Sequence, residues 1–181
     1  LTDALENETM KQLLCCLAGT MLCSPAALAA PDYNQMILES VFPHGGQQGT
    51  SVVVELTGRE GGLKGATDIL VDGAPGITVS DVTVDDKARV RATFTIARDA
   101  VPGRRMIRIK GGQAGLTGFR WFFVGPLPEH IEGKDNNTPA TSEPVTIPLV
   151  VNGIIERPLD QDCFRFQAKA GDTPVVAVMS H

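Results

Sequence analysis

Acidic and amide side chains that could bind a cation cluster at two places in the sequence. The first group is Asp135, Asn136 and Asn137, and the second is Asp160 and Asp162, just before an apolar segment. Calcium takes about six to eight oxygen ligands from carboxylates, amides and carbonyls, and two loops meeting at one end of a β-sandwich could supply several. The same side chains also accept hydrogen bonds from backbone N–H groups in turns. The residues alone leave both interpretations open.

The residue types that most often perform catalysis form no recognisable motif. His44, His130 and His181 fall in a loop, a connecting segment and the last position. The sequence has no nucleophile elbow, zinc-binding H-E-x-x-H, P-loop or dinucleotide-binding fingerprint. No motif surrounds Cys163, and a half-buried structural role is favoured over a nucleophilic one. We therefore predict no catalytic residues, no required cofactor and no enzymatic activity for this chain.

The N-terminal segment has the composition of an export signal. Met10 and Lys11 precede an apolar run at 13–23, and small residues continue to Ala30. A positive start, a short apolar run and an A-x-A site are typical of a secretory signal peptide. This predicts a signal peptide at 10–29 and a mis-assigned leader at 1–9. The run is shorter than the roughly 20 residues of a membrane-spanning helix, so we predict a secreted, periplasmic or cell-surface protein without a membrane span after signal removal.

The overall composition excludes several classes of protein. The 181 residues are 43% hydrophobic and 20% charged, which indicates globular modules rather than a disordered or polytopic membrane chain. The formal net charge of -5 gives no electrostatic basis for nucleic-acid binding. Nineteen glycines and twelve prolines predict many turns.

The apolar pattern after the export signal has a period of two. Residues 88–97 alternate between apolar and polar side chains, which is typical of a half-buried antiparallel strand. Glycine, proline and Asp–Gly pairs separate the segments, which favours an all-β sandwich. We predict an immunoglobulin-like β-sandwich over 34–125. Its predicted strands are 51–57, 68–71, 77–79, 82–84, 88–97, 105–110 and 119–124, with a turn between the third and the fourth.

The aromatic segment 119–124 allows two interpretations. A period of two places Phe119, Trp121 and Phe123 on one face of a strand, with Arg120 and Phe122 on the other. The three aromatic rings could fill the core of the sandwich or form a platform for a ligand. Because burying an aromatic side chain contributes about 2–3 kcal/mol by area alone, we favour the core.

A polar, proline-containing stretch at 126–144 is predicted to be a linker. Strand patterns resume at 145, and Val175–Met179 begins a strand without a following partner. A sandwich needs about 100 residues. We therefore predict that 145–181 is the N-terminal part of a second, jelly-roll-like β-sandwich, and that the chain is a fragment of a longer protein.

Two stretches resemble known families of bacterial secreted modules. The order N-N-T at 136–138, N-G at 152–153, D-Q-D-C-F-R-F at 160–166 and A-x-x-G ending at 171 resembles the start of a bacterial pre-peptidase C-terminal domain. Relatives of that domain include collagen-binding modules that hold calcium near their N-terminal linker. The resemblance implies Asn136, Asp160 and Asp162 as calcium ligands here, and it allows Glu132 as a further ligand.

The preceding module resembles the immunoglobulin-like IPT/TIG type in F-P-H-G-G-Q-Q-G-T at 42–50 and A-R-D-A-V-P-G at 97–103. Together the two resemblances look like the start of large secreted planctomycete-type proteins. They imply an extracytoplasmic location and β-sandwich folds, without an activity.

We therefore predict non-catalytic modules for spacing, adhesion or substrate targeting, whose partners are an extracellular polymer or other modules of the same protein. One alternative is an accessory region of a secreted peptidase or other hydrolase with its catalytic domain outside this chain. The other is a carbohydrate- or collagen-binding module.

Overall fold

The computed structural model describes residues 36–59, 62–85, 87–111, 115–133 and 135–179. The predicted leader at 1–9, the signal peptide at 10–29 and His181 lie outside these residues. The described part of the chain contains no helix with the length and apolar character needed to cross a membrane.

The regular structure of the described residues consists of short strands and a 3-10 turn at Pro139–Thr141. The strands are β1 (Leu38–Phe42), β2 (Gly45–Gln47), β3 (Ser51–Gly58), β4 (Ala66–Gly73), β5 (Ile77–Val84), β6 (Val90–Ile96), β7 (Gly103–Gly111), β8 (Gly115–Leu116), β9 (Arg120–Gly125), β10 (Glu129–Ile131), β11 (Glu143–Pro144), β12 (Val150–Asn152) and β13 (Phe164–Arg165). The predicted all-β fold is confirmed.

The first nine strands form two sheets. One sheet has the order β1-β3-β6-β5, and the other has the order β2-β9-β7-β4 with β8 paired to β7. All neighbours are antiparallel except β2 and β9, which are parallel. In immunoglobulin domains the sheets contain strands A, B, E and D and strands C, F and G. The observed order reproduces that arrangement, so the predicted immunoglobulin-like β-sandwich is confirmed.

The core lies between these two sheets. Val54 and Leu56 of β3 and Phe94 of β6 are fully buried on one side, and Ile107 and Ile109 of β7 are fully buried on the other. These side chains follow the period of two expected for strands with one buried face. Each sheet therefore has an inner apolar face and an outer face that is available to solvent.

The predicted turn between residues 79 and 82 is wrong. Ile77–Val84 is one strand, whose register with β6 shifts between Ser80 and Thr83, and Asp81 has a φ of 55°. An irregularity of this kind lets a strand continue past an unpaired residue. The polar pair Ser80 and Asp81 therefore marks a bulge rather than a chain reversal.

The C-terminal segment contains short parallel strand pairs. β10 pairs with β12, and β11 pairs with β13. β10 and β11 lie inside the stretch 126–144 that was predicted to be a linker. The predicted strand at Val175–Met179 is absent because no described segment provides it with a pairing partner, and Val175 and Val178 are 90% and 88% exposed.

Candidate functional site

The outer face of the second sheet carries the aromatic side chains that sequence analysis assigned to the core. Phe122 is fully buried, whereas Trp121 and Phe123 are half-buried and Phe119 is 38% exposed. The predicted alternation is correct, but the predicted direction is wrong. β9 pairs with β7 so that Trp121 lies opposite Met106 on the outer face, and this register leaves Phe122 to fill the core.

Two arginines of β7 lie within cation–π distance of these rings. The guanidinium carbon of Arg104 lies 5.6 Å from the ring centroids of both Trp121 and Phe123. The guanidinium carbon of Arg108 lies 5.8 Å from the centroid of Phe119. Cation–π contacts at exposed sites contribute about 0.5–1 kcal/mol each. We call the surface formed by Arg104, Arg108, Phe119, Trp121 and Phe123 the aromatic face.

The rings of the aromatic face also contact each other. Phe119 and Trp121 meet edge to face, with centroids 4.9 Å apart and planes inclined by 67°. Edge-to-face pairs are a favourable aromatic geometry. The ring–ring and ring–guanidinium contacts therefore hold the outer side chains in place without burying them.

The two arginines of the aromatic face differ in their acidic neighbours. Arg108 Nε lies 3.6 Å from Asp72 Oδ2. Among the described residues, no carboxylate oxygen lies within 4.0 Å of the Arg104 guanidinium, and the residue is exposed. Arg104 thus offers N–H donors to a ligand, because no carboxylate of the described residues pairs with them.

Arg105, between these two arginines on the chain, points inward and has a different role. It is 1% exposed. Its Nη2 donates to the carbonyl oxygens of Val101 at 2.7 Å and Pro75 at 3.4 Å, and its Nη1 donates to the carbonyl of Arg104 at 3.2 Å. Arg105 therefore ties two loops to the end of β7 and is not part of the aromatic face.

Three of the predicted cation ligands lie near one another. Burial raises the pKa of Glu132, and the nearby carboxyls of Asp162 and Asp160 raise it further, against the lowering by a hydrogen bond from the Ile154 N–H. Glu132 Oε2 is buried and receives no hydrogen bond from the described residues, and the Asp162 carboxyl lies within hydrogen-bonding range of the Glu132 carboxyl. Two carboxyls in this relation require a proton or a cation.

Asp160 and Asn136 are engaged differently. Asp160 Oδ2 accepts a hydrogen bond from the Glu156 N–H at 3.0 Å, and Asp160 Oδ1 lies 3.7 Å from Arg157 Nε. This is the turn-capping role that the residues left open. The Asn136 carbonyl accepts a hydrogen bond from the Cys163 N–H at 2.8 Å, while its buried Nδ2 has no partner.

The four predicted cation ligands do not form a closed cage. Among the described ranges, no three His, Cys, Asp or Glu side chains converge as a metal site would require. Of the four, Glu132 and Asp162 are the pair whose carboxyls lie within hydrogen-bonding range of each other.

A polar network joins the sandwich to the C-terminal segment. The His44 N–H donates to Asn152 Oδ1 at 2.9 Å, and Asn152 Nδ2 donates to Glu129 Oε2 at 2.6 Å. Burial raises the pKa of Glu129, although the hydrogen bond from Asn152 opposes that effect. The ends of β2, β10 and β12 are held together by these contacts.

His130 has a structural setting. Its Nε2 lies 3.0 Å from Glu143 Oε1, and Glu143 Oε2 accepts a hydrogen bond from the Gly133 N–H at 2.9 Å. The hydrogen bond from the Gly133 N–H lowers the pKa of Glu143, and His130 lowers it further.

The half-buried Cys163 has both its N–H and its carbonyl in backbone hydrogen bonds.

No protein-family profile matches the sequence, and no curated protein matches it significantly. Among solved structures, the chain is similar to SGBP-B of the Bacteroides ovatus mixed-linkage glucan utilization locus, in complex with a mixed-linkage heptasaccharide. The identity is 20%, the match covers 62% of this chain and 26% of that chain, and the TM-score is 0.39. A likeness at these values carries no argument about function.

Proposed function

We propose that this chain is a non-catalytic module that binds polysaccharide through the aromatic face. The observation that carries the proposal is the placement of Phe119, Trp121 and Phe123 on the outer side of the sheet. Contiguous apolar side chains on a surface, framed by polar groups, mark binding sites. Trp and Arg are also the residue types that contribute most to binding when they lie at an interface.

The chemistry of the aromatic face suits a sugar ring. A pyranose exposes C–H groups on its two faces and hydroxyl groups around its edge. An indole or phenyl ring packs against the C–H groups, and arginine N–H groups donate to the hydroxyl oxygens. Arg104 and Arg108 lie on β7 and Trp121 and Phe123 on β9, which are central strands of the sheet, and Phe119 immediately precedes β9. A site on a rigid sheet binds at a lower entropic cost than one on a loop.

Affinity electrophoresis of the full chain in gels that contain polysaccharide tests the proposal. The probes are mixed-linkage β-glucan, xylan, polygalacturonate and alginate. We expect retardation by at least one polymer, and a loss of roughly tenfold in affinity for Trp121→Ala. Val53→Ala is the matched control, because Val53 is 64% exposed on the outer face of the other sheet. Retardation by none of the polymers, or equal behaviour of the two variants, would overturn the proposal.

The proposed module is exported and acts by adhesion or targeting. The export signal supports the location, and the absence of a catalytic motif in the sequence supports the lack of turnover. If the module belongs to a longer secreted hydrolase, the same face would bring the catalytic domain to its substrate. Incubation of the full chain with each polymer should release no reducing ends, and their release would contradict a non-catalytic role.

We also propose that calcium binds between Glu132 and Asp162. The supporting observation is the mutual proximity of the two carboxyls, together with the buried Glu132 Oε2, which accepts no hydrogen bond from a described residue. Because few protein ligands surround this pair, we expect weak binding, in the range of about 0.1–1 mM that is typical of extracellular modules. Asp160 would join as a ligand only by giving up Arg157.

A thermal melt with calcium and with magnesium tests the second proposal. Calcium at about ten times its Kd, which is roughly 1–10 mM here, should raise the free energy of unfolding by about 1.4 kcal/mol. Magnesium at the same concentration should raise it less. The Glu132→Gln variant, which keeps the carbonyl acceptor, should lose the calcium effect and melt higher than the parent without calcium. An unchanged melting temperature in calcium would exclude the site.

A further inference from the structure

We propose that the polysaccharide recognised by the aromatic face is acidic, with uronate carboxylates that pair with Arg104. This inference rests on the proposed function and names the substrate class of the same site. It comes from the guanidinium groups that lie close to the rings, rather than from the rings themselves.

The position of Arg104 is that of a preorganised carboxylate receptor. Its guanidinium carbon is 5.6 Å from each of two ring centroids, on Trp121 and Phe123. Two cation–π contacts restrict the side chain, so less rotamer entropy is lost when a ligand binds. A planar guanidinium presents parallel N–H donors that match the two oxygens of a carboxylate.

The charges that share this face favour an anion. By strand alternation, three basic side chains of β7 project to the outer side: Arg104, Arg108 and Lys110. On the neighbouring strand β4, Asp68 is paired with Lys110 and Asp72 is paired with Met106. Asp72 is close to Arg108, and Asp68 accepts a hydrogen bond from the N–H of its own neighbour Ile69. In this set three basic side chains face two acidic ones, and among the described residues neither Arg104 nor Lys110 forms an ion pair.

A further acidic group, Glu129, lies near the Phe123 end of the aromatic face. Glu129 Oε1 lies 3.2 Å from the place where a Cβ would stand on Gly45, and Gly45 is paired with Phe123. Glu129 is half-buried, and its other oxygen accepts a hydrogen bond from Asn152. The Glu129 Oε2 atom is thus engaged at the junction with β12, while the guanidinium carbon of Arg104 lies 5.6 Å from the ring centroids of both Trp121 and Phe123.

A neutral glycan would pair with the Arg104 guanidinium less favourably than an acidic one. A hydroxyl group accepts one or two N–H groups but cannot neutralise the guanidinium charge, whereas a carboxylate does both. A carboxylate also accepts two parallel N–H bonds from one guanidinium, and this bidentate ion pair adds both energy and geometric specificity. The expected preference for the acidic over the esterified form of one polymer is therefore roughly tenfold or more.

Polygalacturonate and its fully methyl-esterified form are the decisive pair of probes, because they share one sugar skeleton and differ in charge. Binding of the full chain to both is measured by affinity electrophoresis at low and at physiological salt. We expect stronger binding to the acid form and weakening by salt. Arg104→Gln should remove the difference between the two forms, and Arg104→Lys should keep part of it. Arg98→Gln is the control, since Arg98 is an exposed arginine outside both sheets.

The outcomes separate this inference from the proposed function. Equal binding of the acid and the ester would overturn the inference and leave polysaccharide binding intact. If the chain binds none of the polymers, both the inference and the proposed function are overturned. Equal binding of polyglutamate, a carboxylate polymer without sugar rings, would show a general charge effect and also overturn the inference. A dimer that depends on Trp121 and excludes polysaccharide would show that a second copy of the chain covers the face, and would overturn both proposals.

Discussion

The ring of Phe122 meets the ring of Phe94 edge to face across the two sheets, with centroids 5.2 Å apart and planes inclined by 67°. Both residues are fully buried. This contact fixes which side of β9 faces the core. It follows that the side chains immediately before and after Phe122 must face outward.

The first prediction contrasts neighbouring aromatic residues on β9. Phe122→Ala should lower the free energy of unfolding by about 3–5 kcal/mol, because it opens a cavity between the sheets. Phe123→Ala should lower it by about 1 kcal/mol, since the ring is half-buried and mainly loses its contact with a guanidinium. Urea denaturation of both variants gives the comparison. A larger loss for Phe123→Ala than for Phe122→Ala would mean that the direction of β9 has been assigned wrongly.

The second prediction concerns the buried Arg105. Arg105→Ala should cost about 3 kcal/mol of unfolding free energy, because it leaves loop carbonyls without a donor and creates a cavity. Arg104→Ala, one residue earlier and exposed, is the matched control and should cost about 1 kcal/mol or less. Equal urea midpoints for the two variants would contradict the loop-anchoring role of Arg105.

The third prediction is a pH dependence that originates at Glu129. Burial raises the pKa of this carboxyl above its ordinary value of 4.5, so the folded state holds the proton more tightly than the unfolded chain does. Ionisation of Glu129 therefore costs stability above the folded-state pKa, and the cost disappears as the pH falls through that pKa towards 4.5.

Glu129→Gln keeps an oxygen that can accept the hydrogen bond from Asn152. The variant should be more stable than the parent at neutral pH, and its advantage should shrink as the pH falls towards 4.5. Denaturation of both proteins from about pH 7.5 down to 4.5 measures the difference, in which the other titrating groups cancel. An advantage that grows on acidification would be inconsistent with the raised pKa.

Much of the sandwich could be predicted from the sequence because its strands alternate and end at turn residues. The alternation around Val90 and Phe94 is enough to identify the buried face of β6. The direction of β9 could not be obtained in this way, because Phe122 and Val124 form an apolar row as good as the row of Phe119, Trp121 and Phe123. The pairing with β7 and the contact of Phe122 with Phe94 decide between them.

The arginine part of the candidate site was missed, although a signal was present. Arg104 and Arg108 alternate with Ile107 and Ile109 along one strand, which places both arginines on the outer side. Which rings they cover depends on the neighbouring strand and not on local sequence. The proximity of Glu132 to Asp162 is likewise a long-range feature, created where β10 and the segment before β13 come together.

Fluorescence of Trp121 gives the most direct test of the aromatic face, because it is the one tryptophan of the sequence. Galacturonate oligosaccharides are titrated into the full chain, with iodide quenching measured before and after saturation. We predict a saturable change in emission, protection of the indole from iodide, and loss of both effects in Arg104→Gln at the same ligand concentrations. Unchanged emission and unchanged quenching at saturating galacturonate, alginate and neutral glucan oligosaccharides would contradict the account.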